Sequence, residues 1–242
     1  MNINVFKDYD ELSEKTAEFI ADFVKTKTDA RLCLAAGDTP TGTFKNMVGL
    51  SKEGRASFSG CTFVGLDEWV GMDENDEGSC KNYVYNNLFI PLAVKKSKIV
   101  FFDACADNLE AECRRIDDYI KNNGPIDLML VGIGMNGHIG LNEPGVSFDS
   151  YSHIVKLDPV TKNVGQKYFK EKTDLEMGIT LGIRHLMESK CAILIANGTK
   201  KAEIIRKVVK GEVTNKIPAS ILQRHKNCYL FLDKDAASML DI

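Results

Sequence analysis

No stretch of the 242-residue chain comes near the roughly 20 apolar residues that a membrane-spanning helix needs. Nor does the N-terminus set a basic start before an apolar core, so neither membrane insertion nor signal-led export is expected. An excess of positive charge is missing too: 31 basic against 34 acidic residues give no field of the kind nucleic-acid binding requires. The cysteines (Cys33, Cys61, Cys80, Cys105, Cys113, Cys191, Cys228) are odd in number, lack any Cys-x-x-Cys pair and mostly fall in apolar runs. They read as reduced, buried thiols of a cytoplasmic protein. His-x-x-x-His spacing is absent as well, so no metal site is expected. With no repeats, low-complexity tracts or linker-like shifts in composition, residues 1–242 are expected to form a single domain. At this length such a domain buries about three quarters of its unfolded surface without disulfide or metal. A small-molecule or protein partner is what these exclusions leave.

Present instead is an alternation of strand-like and helix-like segments. Residues 2–6 alternate as a short strand, and residues 10–26 carry Leu12, Phe19, Ile20, Phe23 and Val24 at helical spacing. Compact apolar runs at 31–36, 62–66, 127–131, 191–196 and 227–232 read as strands, those at 127–131 and 191–196 as covered on both faces. Weaker strand signals lie at 98–101 and 153–157. Helices are expected over 41–50, 79–89, 107–122, 160–170 and 200–210, the third opened by a capping-box-like Asp107 and Glu110. This order predicts an α/β fold: one doubly wound, mainly parallel sheet with helices on both faces, a Rossmann-like three-layer arrangement. In such sheets ligands sit beyond the carboxyl ends of the strands. Three loops qualify, at 36–43, 66–70 and 131–145.

The last of these places Gly132, Gly134 and Gly137 in a formal Gly-x-Gly-x-x-Gly. A dinucleotide site is nevertheless rejected. The fingerprint needs a helix to start at the loop, yet Gly140, Pro144 and Gly145 interrupt any helix, and four strand-like segments come first instead of none. It also leaves His138 and Glu143 unexplained. A histidine between glycines, with a carboxylate five residues on that can orient its ring, suits general acid-base work. His153, His185 and His225 lack that setting and are expected to pack or face solvent. Asp67 and Glu68 close an apolar strand, where a general base would be mounted or where a strand simply meets solvent. The 36–43 loop, with Gly37, Asp38, Thr39 and Thr41, offers amides and hydroxyls before a helix, which suits an anion such as phosphate. Lys201, at the start of a later helix, can reach the same anion.

On these segments the sequence resembles the glucosamine-6-phosphate and galactosamine-6-phosphate deaminating isomerases, whose fold relatives include 6-phosphogluconolactonases. The resemblance covers nearly the whole chain. It is strongest at Leu66-Asp67-Glu68-Trp69-Val70, Gly78-Ser79-Cys80, the string from Gly134 to Gly145, Gly178-Ile179-Thr180-Leu181-Gly182 and Ile217-Pro218-Ala219-Ser220. The His-x-x-x-Asn-Glu-Pro string from His138 to Pro144 is specific to the deaminases. What it implies is ring opening assisted by His138 with Glu143 behind it. Asp67 then moves a proton from carbon 2 to carbon 1, ammonia leaves, and a ketose 6-phosphate results without metal or organic cofactor. Gly37, Thr39, Thr41 and Lys201 would hold the phosphate.

The chain also departs from the commoner glucosamine pattern. Asn136 stands where aspartate is usual, and with Trp69 it makes the sequence similar to the galactosamine type, so galactosamine 6-phosphate is the expected substrate and glucosamine 6-phosphate the second choice. Asp38 replaces a glycine of the phosphate loop and should repel phosphate unless it turns away. Lys167 aligns loosely with a phosphate-contacting arginine and lacks the bidentate fork. His153 and Val155 replace basic residues of an allosteric site, and the C-terminal extension found in hexameric relatives is missing, so allosteric activation is not expected and a monomer or small homo-oligomer is. Lactone hydrolysis, with His138 activating water, and a non-catalytic sugar-phosphate sensor are the competing readings.

Overall fold

A computed structural model describes residues 1–241. Seven strands form one all-parallel sheet in the order β1-β10-β9-β6-β2-β3-β5. These are β1 (Asn2–Phe6), β2 (Arg31–Leu34), β3 (Thr62–Val64), β5 (Ile99–Val100), β6 (Leu128–Val131), β9 (Ala192–Ala196) and β10 (Cys228–Asp233). Alternation along the strands divides the core in two. Leu32, Leu34, Phe63, Leu128, Leu130, Ile193 and Ile195 face α1 (Tyr9–Thr26) and α2 (Asp38–Lys52). Cys33, Val64, Met129, Val131, Ala192 and Leu194 face the other way, toward α4 (Leu109–Asn123), α6 (Ile183–Glu188) and α7 (Ala202–Lys210). Helices on both faces of a parallel sheet are what near-continuous apolar strands require.

The expectation of one sheet needs a correction. A second, three-stranded antiparallel sheet runs β4 (Asp67–Trp69), β8 (Met177–Thr180), β7 (His153–Lys156). Its middle strand carried no clear period in the sequence. Asp67 therefore does not end β3: the chain leaves the main sheet after Val64 and re-pairs, with Asp67 opposite Thr180. A small apolar cluster of Trp69, Leu141, Leu157 and Leu175 fills the space beneath this sheet. α4 is capped by Asn108, whose side chain accepts from the Ala111 amide, one residue beyond the expected Asp107. The remaining helices are α3 (Cys80–Val84), continued by a wider turn over Tyr85–Phe89, and α5 (Pro159–Gly165). No described helix is long and apolar enough to cross a membrane.

Four neighbouring strands, β9, β6, β2 and β3, point their carboxyl ends at one side. The segments after them carry Asn197 to Lys201, Gly132 to His138, Gly37 to Thr39, and Asp67. Separated by more than 160 residues of sequence, these groups are brought together by strand order alone.

Candidate active site

A cleft of about 580 Å³ opens there, lined by Gly37, Asp38, Thr39, Asp67, Trp69, Cys80, His138, Lys167 and Lys201 among others. Asp67 is buried at its floor. Burial and the neighbouring Glu68 charge raise its carboxyl to about 7, against a hydrogen bond from the Cys80 thiol. A carboxylate poised there is half ionised near neutrality, which suits a group that must take and return a proton. The Cys80 thiol, pushed well above its ordinary range by burial and by Asp67, stays protonated and so remains a donor.

Glu68, its equal in the sequence, does something else. One carboxylate oxygen accepts from the Trp69 and Cys80 amides, both at 2.9 Å, and the other from the Ser79 hydroxyl at 2.9 Å and the Lys81 amide at 2.8 Å. It ties β4 to the amino end of α3, so Asp67 and Glu68 divide into a carboxylate that lines the cleft and one that anchors.

His138 stands at the cleft wall with Glu143 behind it. Its Nδ1 lies 3.1 Å from the Thr161 hydroxyl and 3.5 Å from Glu143 Oε2, which leaves Nε2 for a ligand. Burial raises Glu143, but hydrogen bonding to His138, with further bonds to Thr161 and Asn136, outweighs it and holds the carboxyl below its usual range. Asn136 donates from Nδ2 to Glu143 at 3.0 Å and accepts the His138 amide on Oδ1 at 3.2 Å. It acts on the pair from behind; neither it nor Glu143 lines the cleft. Thr161, from α5, was absent from the sequence reading because nothing local marks it.

Two glycines are fixed by these groups. A Cβ on Gly134 would fall inside the His138 ring. Gly140 has φ +58, and a Cβ there would meet the Thr180 hydroxyl at 2.9 Å and Asp67 Oδ2 at 3.4 Å. The 131–145 loop starts no helix, consistent with rejection of a dinucleotide site.

The 36–43 loop is arranged differently from expectation. α2 begins at Asp38, not at residue 41, because Pro40 in the first turn lacks an amide that the helix would leave unbonded anyway. The amides of the first turn thus face the cleft. Thr39 donates its hydroxyl to Asn197 at 3.0 Å. Thr41 does not line the cleft: its hydroxyl bonds the Gly37 carbonyl at 3.1 Å and the Tyr83 hydroxyl. Lys201 does line it, with Nζ donating to the Ile133 carbonyl at 2.6 Å; burial and the nearby Lys167 lower its pKa to about 8. Asp38 does not turn away from this region but pairs with Lys167, Nζ to Oδ2 at 2.6 Å. Of the other histidines, His185 is buried against Asp117 at 2.7 Å and His225 against Ser189, so both pack away from the cleft.

The family model for glucosamine-6-phosphate isomerases and 6-phosphogluconolactonases matches residues 7–230. A glucosamine-6-phosphate deaminase of Clostridium botulinum (strain Langeland) is 39% identical over 243 residues, covering the whole of both chains. Another, of Thermoanaerobacter sp. (strain X514), is 35% identical over 241 residues, or 99% of this chain and 95% of its own. The solved structure of a monomeric glucosamine-6-phosphate deaminase superposes with a TM-score of 0.96 at 38% identity, covering 99% of this chain and 100% of that one. A 6-phosphogluconolactonase from Trypanosoma brucei, at 19% identity and a TM-score of 0.75 over 99% and 98% of the two chains, shares the fold. These relatives bear glucosamine names, against the galactosamine type suggested by Asn136 and Trp69.

Proposed function

The chain belongs to the family of glucosamine-6-phosphate isomerases and 6-phosphogluconolactonases, and from that membership we propose that it is a deaminating isomerase converting glucosamine 6-phosphate to fructose 6-phosphate and ammonia. The observation that carries the reading is the meeting of a buried carboxylate with a pKa of about 7, Asp67, and the Glu143-backed His138 in one cleft. Two acid-base groups of different character suit two proton movements. His138 Nε2 serves the ring oxygen as the pyranose opens. Asp67 then takes the proton from carbon 2 and returns it to carbon 1, and the resulting imine at carbon 2 adds water and releases ammonia. The phosphate sits at the amino end of α2, against the Gly37 to Thr39 segment, with Lys201 as its cation. Held there, a group that does not react positions the carbons that do. The chain works as a single domain, since strands from its two ends, β1 and β10, pair in one sheet, and as a monomer, like the solved relative.

Glucosamine 6-phosphate is preferred over galactosamine 6-phosphate because full-length relatives at 35–39% identity carry that name. Lactone hydrolysis is the weaker reading, supported by the joint family name and by a likeness of fold to 6-phosphogluconolactonases at 18–19% identity. Ammonia release measured side by side with the two amino sugar phosphates is the test. Faster turnover of glucosamine 6-phosphate is expected; preference for its epimer returns the galactosamine reading, and failure with both removes the deaminase. Acid production from 6-phosphogluconolactone above the spontaneous rate identifies the lactonase, and ligand-induced stabilisation without any turnover the sensor.

A further inference from the structure

Asp38 is a carboxylate in the first turn of the helix that the phosphate reading assigns to an anion, and its side chain is spoken for. Lys167 Nζ lies 2.6 Å from Oδ2. The lysine comes from the short turn after α5, across the cleft from α2, so this pair bridges two walls 129 residues apart in sequence. Around it the turn Gln166–Tyr168, which lines the cleft, is docked on the same loop. Tyr168 lies beneath the Lys167 ammonium, 4.8 Å from ring centroid to Nζ. Its hydroxyl lies against Gly37, where an added Cβ would meet it at 3.1 Å, and its ring meets Tyr83 edge-on at 6.4 Å. Burial works against the charge on Lys167, but Asp38 and Tyr168 more than offset it and its pKa is raised. The second cation, Lys201, is close enough to feel Lys167, so both face one anion-sized region.

Resting on the phosphate-site reading, we propose that Asp38 is a built-in competitor for the substrate's phosphate: it holds Lys167, and with it the turn after α5 that lines the cleft, and yields the lysine when a phosphate docks at the start of α2. The exchange swaps one ion pair for another. The Asp38 side chain is two-thirds exposed, so water takes over its solvation once the lysine leaves. A dianion with three oxygens can outbid a single carboxylate for an ammonium, whereas a singly charged sugar acid has no such advantage. Asp38 thereby makes the site selective for phosphate esters at some expense of affinity.

Calorimetric titration of inorganic phosphate into the wild-type chain, Asp38→Asn, Lys167→Gln and the double variant tests this, with fluorescence as the second readout. Trp69 is the only tryptophan and packs against Gly165 and Leu175, which flank the turn carrying Lys167, so it reports movement there. Phosphate binding needs no turnover, which keeps the outcome separate from the deaminase assay. With Lys167 present, Asp38→Asn should tighten phosphate binding about three-fold or more, the scale of one exposed ion pair. In the Lys167→Gln background the same change should have no effect. Equal tightening in both backgrounds would mean that Asp38 merely repels the anion, and unchanged or weaker binding would mean that it does not compete; either overturns the proposal. Absence of a phosphate response in all four proteins overturns it together with the site on which it rests.

Discussion

At the residue scale the account turns on the surroundings of Asp67. Its carboxyl sits at about 7 because burial and Glu68 raise it against the pull of the Cys80 thiol. As a base it must be ionised, so kcat/KM should climb through an acid limb near pH 7. Removing the donor by Cys80→Ala should move that limb to higher pH, while Cys80→Ser, which keeps a donor, should restore it; an unmoved limb in the alanine variant would strip Cys80 of any part in positioning Asp67. The same shift has a stability consequence. The folded pKa lies above the ordinary 3.8, so the folded state holds its proton longer, and stability falls as pH rises from about 4 through 7. Asp67→Asn should therefore raise the melting temperature at pH 8.5 by several degrees, for a gain on the order of 2 to 4 kcal/mol, and by little at pH 4. Equal melting at both pH values would contradict the buried charge. Asn136 carries a different lesson. As an amide it donates to Glu143, so Asn136→Asp sets two carboxylates at that 3.0 Å contact. The variant should remain active with its pH profile displaced upward, because the pair keeps a shared proton longer.

Among the elements, the amino-terminal turn of α2 and the start of α7 line one cleft, and in the proposed reaction they act together on the phosphate. Lys201 titrates at about 8, lowered by burial and Lys167. Above that pH the cation is lost, so KM for the sugar phosphate should rise between pH 8 and 9.5 while Lys201→Arg, which keeps its charge, holds KM flat over that range. A wild-type KM independent of pH there would take Lys201 away from the phosphate. α5 contributes Thr161 to His138, and β4 turns Asp67 into the cleft while Glu68 locks α3. Here the sequence was partly legible. The glycines and His138 advertised their loop, and the apolar runs marked most of the parallel strands. β8 was not legible, since Met177 to Thr180 has no period of its own and exists as a strand because β4 and β7 pair on either side of it. Thr161 and Tyr168 were hidden for the same reason: Thr161 meets His138, 23 residues away, and Tyr168 meets Gly37 across the cleft. The reach of α2 back to Asp38 was obscured by Pro40, which reads as a breaker until its place in the first turn is known.

For the whole molecule, strand order does the assembling. The sequence predicts a doubly wound parallel sheet and ligands beyond its carboxyl ends, and both the seven-stranded sheet and the cleft lie where that logic sets them. What no single segment could reveal is that β9, β6, β2 and β3 are neighbours, and this adjacency is what gathers Lys201, His138, Gly37 and Asp67 around one volume of about 580 Å³. The small second sheet then closes one side, and its Trp69 packs with Leu141, Leu157 and Leu175. The proton shuttle through Asp67 between adjacent sugar carbons is the step on which the proposed reaction depends. It is tested most directly by turnover of glucosamine 6-phosphate in the Asp67→Asn variant, with inorganic phosphate binding measured on the same preparation. Ammonia release should fall by about a thousand-fold or more with phosphate affinity retained, in keeping with the loss of a general acid-base group. Turnover within about ten-fold of wild type, with phosphate bound normally, would contradict it.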